Sequence, residues 1–348
     1  MMLFLVGPFR PVRCMGLGVA LIFLFGLAGC GSPAADAVAS TSTREVMPTP
    51  AATHTVSASP TTTSAASALL PTAAVPIATA VTPTAQPTIT PSPTPDLRLS
   101  PIHWQTWPVI PTLSARAQQV LKAGLAKGNS SRAFAKVGDC ETSTDWFLAD
   151  FDRGSRFYDL GTYTALQKVI DYYSGSFQRK SAASARGFTA ASALTAMWAD
   201  PKVCLVNETP LACEYRLQKP AVALIMLGTN DVNHKPTFEA NLRKILDQTL
   251  ERGILPVLVT KADNLEGDQM LNLTMVRLAY EYDLPVWNFW LAVQGLPDHG
   301  LQPDGAHLTH APNKFNDPIA LLSAWPVRNL TALQVLAVIM QAGQSASQ

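Results

Sequence analysis

The sequence predicts an α/β domain over residues 100–348, a parallel sheet with helices on both faces. Three observations predict it. Residues 221–227 (AVALIML) form an unbroken apolar run ending at Gly228, the pattern of a strand buried on both faces of a parallel sheet. Strand-like and helix-like segments alternate along the chain, which builds βαβ units. The region also holds roughly 250 residues, a length suited to one such domain.

Taken in order, residues 115–126 read as a helix, and residues 133–137 as a short strand that delivers Gly138-Asp139-Cys140 to its carboxyl end. Helical patterns follow at 162–173 and 189–198, before the strand at 221–227. A helix at 237–252 leads to a strand at 254–260, with Pro256 near its start, and a helix at 269–282 leads to a strand at 285–289. The last helix is predicted over 329–341, where Leu330, Leu333, Leu336, Ala337 and Met340 keep helical spacing. Ligands of such sheets bind beyond the carboxyl ends of the strands, so Gly138 and Gly228 set two motifs on one rim.

Upstream of the domain the chain has a different character. Arg10 and Arg13 precede an apolar run over 15–29, which ends in Leu27-Ala28-Gly29-Cys30. A basic start, a short apolar stretch and small residues at its end read as a secretory signal over residues 1–29, shorter than the roughly 20 residues of a membrane span. The Leu-Ala-Gly-Cys ending resembles a bacterial lipobox, which implies cleavage before Cys30, lipid on its thiol, and an extracytoplasmic, membrane-anchored protein. Residues 30–99 are rich in Thr, Pro, Ala and Ser, too poor in large apolar side chains to offset ordering entropy, and are read as a disordered stalk. The chain carries 26 Lys and Arg against 25 Asp and Glu. That balance excludes a nucleic-acid footprint and an electrostatic membrane binder, leaving the lipid as the membrane contact.

The five cysteines sort by position. Cys14 leaves with the signal and Cys30 takes the lipid. Cys204 and Cys213 flank a short segment with a turn-prone Pro210, and an oxidising compartment favours a disulfide between them. Cys140 is left unpaired.

The chemistry lies in three separated stretches: Gly138-Asp139-Cys140, Gly228-Thr229-Asn230-Asp231, and Asp304-Gly305-Ala306-His307-Leu308-Thr309. Acyl transfer needs a nucleophile, a base that takes and returns its proton, and donors aimed at the oxygen that becomes negative. Cys140, His307 and the Asn230 amide supply one of each. The order and content of these stretches resemble the blocks of the SGNH (GDSL) esterases, and the resemblance implies a flavodoxin-like sheet. It implies His307 as general base, Asp304 as the residue that orients it, and Asn230 and the Cys140 N–H as oxyanion donors. Cys140 stands where that family places serine. The resemblance also implies a glycine N–H as a further oxyanion donor; Gly187 is the best match, with Gly175 and Gly161 as competitors. Ser143 lies three residues past the strand-end elbow, away from the attacking position.

The expected reaction is hydrolysis of acyl esters, with acylated surface carbohydrate among the substrates, and no cofactor is implied. The alternative is an inactive protein of this fold that binds an envelope ligand. His299, Asp304, His307 and His310 are donor types that suit zinc, but no His-Glu-x-x-His or paired Cys-x-x-Cys accompanies them, and the sequence predicts no metal. Trp146, Phe157 and Tyr158 are read first as core aromatics and second as the lining of a sugar or acyl pocket.

Overall fold

The computed structural model describes residues 98–346. The signal segment, Cys30 and nearly all of the stalk lie outside the described residues. Helix α1 (Ala115–Ala126) starts at Ser114, whose hydroxyl accepts the Ala117 N–H at 3.1 Å and so satisfies one of the first-turn donors. Strand β1 (Ser130–Gly138) follows, with its last five residues buried. Cys140 opens the one-turn helix α2 (Cys140–Ser143) directly beyond it.

Helix α3 (Pro210–Gln218) leads into strand β2 (Pro220–Met226), which is buried along its whole length. Fully burying Val222, Leu224 and Ile225 stabilises the sheet by about 1.5–3 kcal/mol for each side chain. Helix α4 (Lys235–Glu251), strand β3 (Leu255–Val259), helix α5 (Met270–Tyr282), strand β4 (Val286–Trp287) and helix α6 (Ala324–Ala346) complete the main frame.

The four strands lie side by side in the order β1-β2-β3-β4, all parallel. Helices cover both faces: α1 packs with α6, α4 packs with α5, and α3 lies on β1. Gly138 is in register with Met226, so β1 and β2 end at the same rim. On its other edge Gly138 bridges Ser184, donating to Ala183 O at 3.1 Å and accepting from Ala185 N at 3.3 Å. That bridge holds the place where a flavodoxin-like sheet carries its second strand. A side chain at Gly138 would collide with the Thr142 hydroxyl and the Met226 carbonyl, so the turn into α2 requires glycine.

The expected α/β class holds, and the departures are local. The helix expected over 162–173 is a 3-10 turn, Thr164–Leu166, followed by the helix Gln167–Tyr172. The helix expected over 189–198 is limited to Ala190–Ala193, because Thr195 adopts extended backbone angles and its hydroxyl bonds back to Ala191 O at 2.8 Å. Pro210 is not in a turn. It opens α3, where a missing N–H costs nothing, and Thr209 caps the helix through Ala212 N at 3.2 Å. Cys213 on α3 forms the expected disulfide with Cys204, with 5.3 Å between the Cα atoms. No helix among the described residues is long and apolar enough to cross a membrane.

Candidate active site

The rim above β1 and β2 gathers the three sequence motifs. Asp139 caps α2, its carboxylate accepting the Glu141 N–H at 3.1 Å, and Cys140 is the first residue of that turn. Its thiol is half-buried and unpaired. The segment carrying His307 is held by an antiparallel bridge between Leu301 and Leu308 and by Gln302 N donating to His307 O at 2.7 Å. Within this segment one oxygen of Asp304 accepts the backbone N–H groups of Ala306 and His307, each at 3.0 Å. Its other oxygen lies 2.6 Å from His307 Nδ1. The opposite ring nitrogen, Nε2, lies 3.9 Å from Cys140 Sγ.

Sulfur, imidazole and carboxylate therefore form one line of contacts, the arrangement by which a carboxylate fixes the tautomer and ring orientation of a base facing a nucleophile. The hydrogen bonds from His307 N, Ala306 N and the imidazole hold the Asp304 carboxyl down at about 2. The Asp304 hydrogen bond raises His307 above its ordinary 6.5, and the nearby Glu141 carboxylate adds to the effect. Cys140 moves in the direction opposite to an activated thiol. Burial, followed by the charges of Asp139 and Glu141, pushes it up to about 11, although the N–H groups of Glu141 and Cys140 itself favour the thiolate.

Asn230 lies in the 3-10 turn Thr229–His234 just past β2. Its amide donates to Phe188 O at 3.1 Å, which leaves the second N–H of the same group for another acceptor. Asp231 is buried and accepts Ala190 N at 3.0 Å, fixing the turn against the segment that carries Gly187. Burial raises Asp231 to about 6, against the pull of that hydrogen bond. Gly187 has φ +77°, which favours glycine even though its side-chain position faces open space.

Of the three competing glycines, Gly175 and Gly161 already donate their N–H groups, to Asp152 at 2.8 Å and Asp159 at 2.9 Å. Gly187 N has no acceptor among the described residues. The Asn230 contact with Phe188 ties Gly187 to the same rim.

Sequence reasoning missed what lies beneath Cys140 and His307. Arg328 on α6 is 4% exposed and donates to Glu141 O at 3.1 Å and to Met226 Sδ at 2.9 Å. Its guanidinium lies 4.7 Å from the centre of the Phe147 ring. Glu141 lies 3.6 Å from Arg328 through its carboxylate, so the charge that acts on Cys140 and His307 is itself set against a buried guanidinium. Burial raises Glu141, and Arg328 opposes the shift. Burial also raises Asp139, to about 7. An arginine inside an otherwise apolar helical pattern was the available signal for this layer.

Other sequence-stretch residues separate. His299 Nδ1 lies 3.1 Å from Gln294 O, and His310 packs between Trp146, at 4.5 Å between ring centres, and Trp325, at 6.2 Å. Trp146 and Phe157 are not core residues: they are 46% and 37% exposed and line a groove of about 490 Å³ with Tyr158, Arg156 and Lys314. The parallel pairing of Tyr158–Asp159 with Asn313–Lys314 contributes Tyr158, Asp159 and Lys314 to its wall.

No family model and no curated protein matches this chain. Among solved structures, it is similar to TesA, with 20% identity over 60% of this chain and 99% of that one, at a TM-score of 0.38. It is also similar to the psychrotrophic esterase EstA from Pseudoalteromonas sp., with 16% identity, 59% and 97% coverage and a TM-score of 0.38. A third is Axe2, an acetylxylan esterase from Geobacillus stearothermophilus, with 16% identity, 60% and 95% coverage and a TM-score of 0.38. Likeness of this degree assigns neither a family nor an activity.

Proposed function

We propose that this protein is an ester hydrolase of the SGNH (GDSL) type in which cysteine takes the place of serine. The observation that carries the reading is the continuous contact from Cys140 Sγ through His307 to Asp304, on the rim where β1 and β2 end. With the thiol raised to about 11, the sulfur rests protonated at neutral pH and no thiolate is preformed, so the form of His307 that takes its proton is the neutral imidazole. Proton transfer to His307 Nε2 then accompanies attack by sulfur on the ester carbonyl carbon. The carbonyl electron pair moves to oxygen and is met by Asn230 Nδ2 and the N–H groups of Gly187 and Cys140. Collapse expels the alcohol, which takes the proton from His307 and leaves a thioester on Cys140. Water attacks that thioester with His307 again as base, releasing the acid and restoring the thiol.

A second reading has an observation of its own. The upward shift of Cys140 favours a protein that keeps the fold and binds an envelope ligand without turnover. Hydrolysis of p-nitrophenyl acetate by the full chain separates the two. Catalysis lost in both Cys140→Ala and His307→Ala supports the hydrolase, and a rate indifferent to both supports the binding protein. In the hydrolase reading the natural substrates are acyl esters, including those of surface carbohydrate, and Cys30 carries the lipid that holds the domain at the membrane. Mass measurement of the mature N-terminus tests the anchor: an acylated Cys30 supports it, and an unmodified Met1 opposes it.

A further inference from the structure

A groove of about 520 Å³ lies between α2, the segment over 178–188 and the disulfide-linked region ahead of β2. Thr142, Ser143 and Thr144 line it, but Cys140, His307 and Asp304 do not. Its deep wall carries Lys136 of β1, a lysine only 4% exposed. The ammonium donates to Phe177 O at 2.9 Å and has no second acceptor among the described residues. Arg179 stands beside it, donating to Phe134 O at 3.0 Å and pairing with Glu214 at 2.7 Å. Glu214 is buried and also accepts Ala182 N at 2.9 Å.

Two cations thus share one buried carboxylate. Asp145 and Asp152 also favour the Lys136 charge, but exposed Asp145 is held by Arg153 at 2.6 Å, Asp152 accepts the N–H groups of Gly175 and Gln178 at 2.8 Å each, and Lys180 and Asp200 are exposed. An uncompensated buried ammonium is costly and calls for a counter-anion. Burial and the Arg179 charge lower Lys136 to about 8, so it still carries its proton at neutral pH. The Thr142 hydroxyl, fully buried in the same wall, has no hydrogen-bond partner among the described residues. The rim is apolar, with Trp198, Val203 and Leu217 each more than two-fifths exposed.

We propose that this groove binds an amphiphilic monocarboxylate, whose carboxylate enters beside Lys136 and Arg179 while its apolar body lies over Trp198, Val203 and Leu217. One negative charge balances the cluster, and the apolar rim supplies the area that a hydrocarbon chain or ring would cover. The site does not depend on turnover at Cys140.

Calorimetric titration of the full chain with hexanoate, with hexanol as the neutral counterpart, tests the assignment. Saturable hexanoate binding is expected, with hexanol weaker by about tenfold or more, the worth of one charge-assisted hydrogen bond. Lys136→Met should weaken hexanoate to a similar degree, Trp198→Ala should weaken it several-fold, and exposed Lys244→Met on α4 should leave it unchanged. Trp198 is a rim residue, so its variant keeps the test open if Lys136→Met fails to fold. Cys140→Ala should bind hexanoate as the unaltered chain does, which separates this site from the catalytic reading. Absence of saturable binding, equal binding of hexanol, or unchanged affinity in folded Lys136→Met and Trp198→Ala would overturn the proposal.

Discussion

Alkylation of Cys140 by iodoacetamide, followed on its tryptic peptide by mass spectrometry, reads the protonation state on which the mechanism turns. The structure moves the thiol from an ordinary 9.0 to about 11. At about pH 8 an ordinary thiol of that kind is roughly 10% ionised and this one about 0.1%, so Cys140 should react about 100-fold more slowly than a free cysteine. Its rate should then climb about tenfold per pH unit from near pH 7 to near pH 10. Glu141→Gln removes one of the carboxylates that raise the thiol, and should shift the whole profile towards lower pH. His307→Ala should leave the slope in place, because burial, Asp139 and Glu141 dominate the position of the thiol. A fast plateau near neutral pH that disappears in His307→Ala would refute this reasoning, since it would show a preformed thiolate–imidazolium pair.

Further outcomes follow from other parts of the molecule. Cys140→Ser restores the smaller attacking atom and should retain or raise ester hydrolysis, whereas Cys140→Ala should abolish it; steady-state rates with p-nitrophenyl acetate decide. Asp304→Asn should lower that rate by about 100-fold or more through loss of the tautomer-fixing contact, and a near-normal rate would remove Asp304 from the mechanism. Lys136→Met should raise stability at neutral pH by an amount on the order of 3 kcal/mol, from the fall of 10.5 to about 8 in the folded chain. Below about 8 the ammonium is protonated folded and unfolded, so the folded state bears the full burial cost. As pH rises from there towards 10.5 the folded chain releases the proton first, and urea midpoints of the two proteins should converge. Opening the disulfide with Cys204→Ser and Cys213→Ser should cost about 2–3 kcal/mol in the same unfolding experiment, as expected for a short closed loop.

The sheet was legible because its strands are buried on both faces and so lack polar interruptions: residues 221–227 announce β2, and Gly228 marks its end. The long helices were legible from periodicity, and α1 matched its expected bounds. Short helices were not, because their limits depend on single hydrogen bonds such as Thr195 to Ala191 O, which no apolar pattern records. Pro210 misled for a related reason, since the same residue suits a turn and the first position of a helix. In the candidate site, the contact of Cys140, His307 and Asp304 was anticipated from the resemblance that their three stretches carry. The state of the thiol was not, because it arises from burial and from Glu141 and Asp139, which only the folded arrangement brings to bear on sulfur. Arg328, distant in sequence and set in an apolar helix, likewise gains its place beneath the site only when α6 packs there.

Direct observation of the acyl-enzyme is the most immediate test. Brief reaction of the full chain with p-nitrophenyl acetate at mildly alkaline pH, an acid quench and peptide mass spectrometry should place one acetyl group on Cys140, labile to hydroxylamine as a thioester is. The adduct should not form in His307→Ala under the same conditions. Acetyl on another residue of an active preparation, or turnover with Cys140 unmodified and dispensable, would contradict nucleophilic catalysis by Cys140.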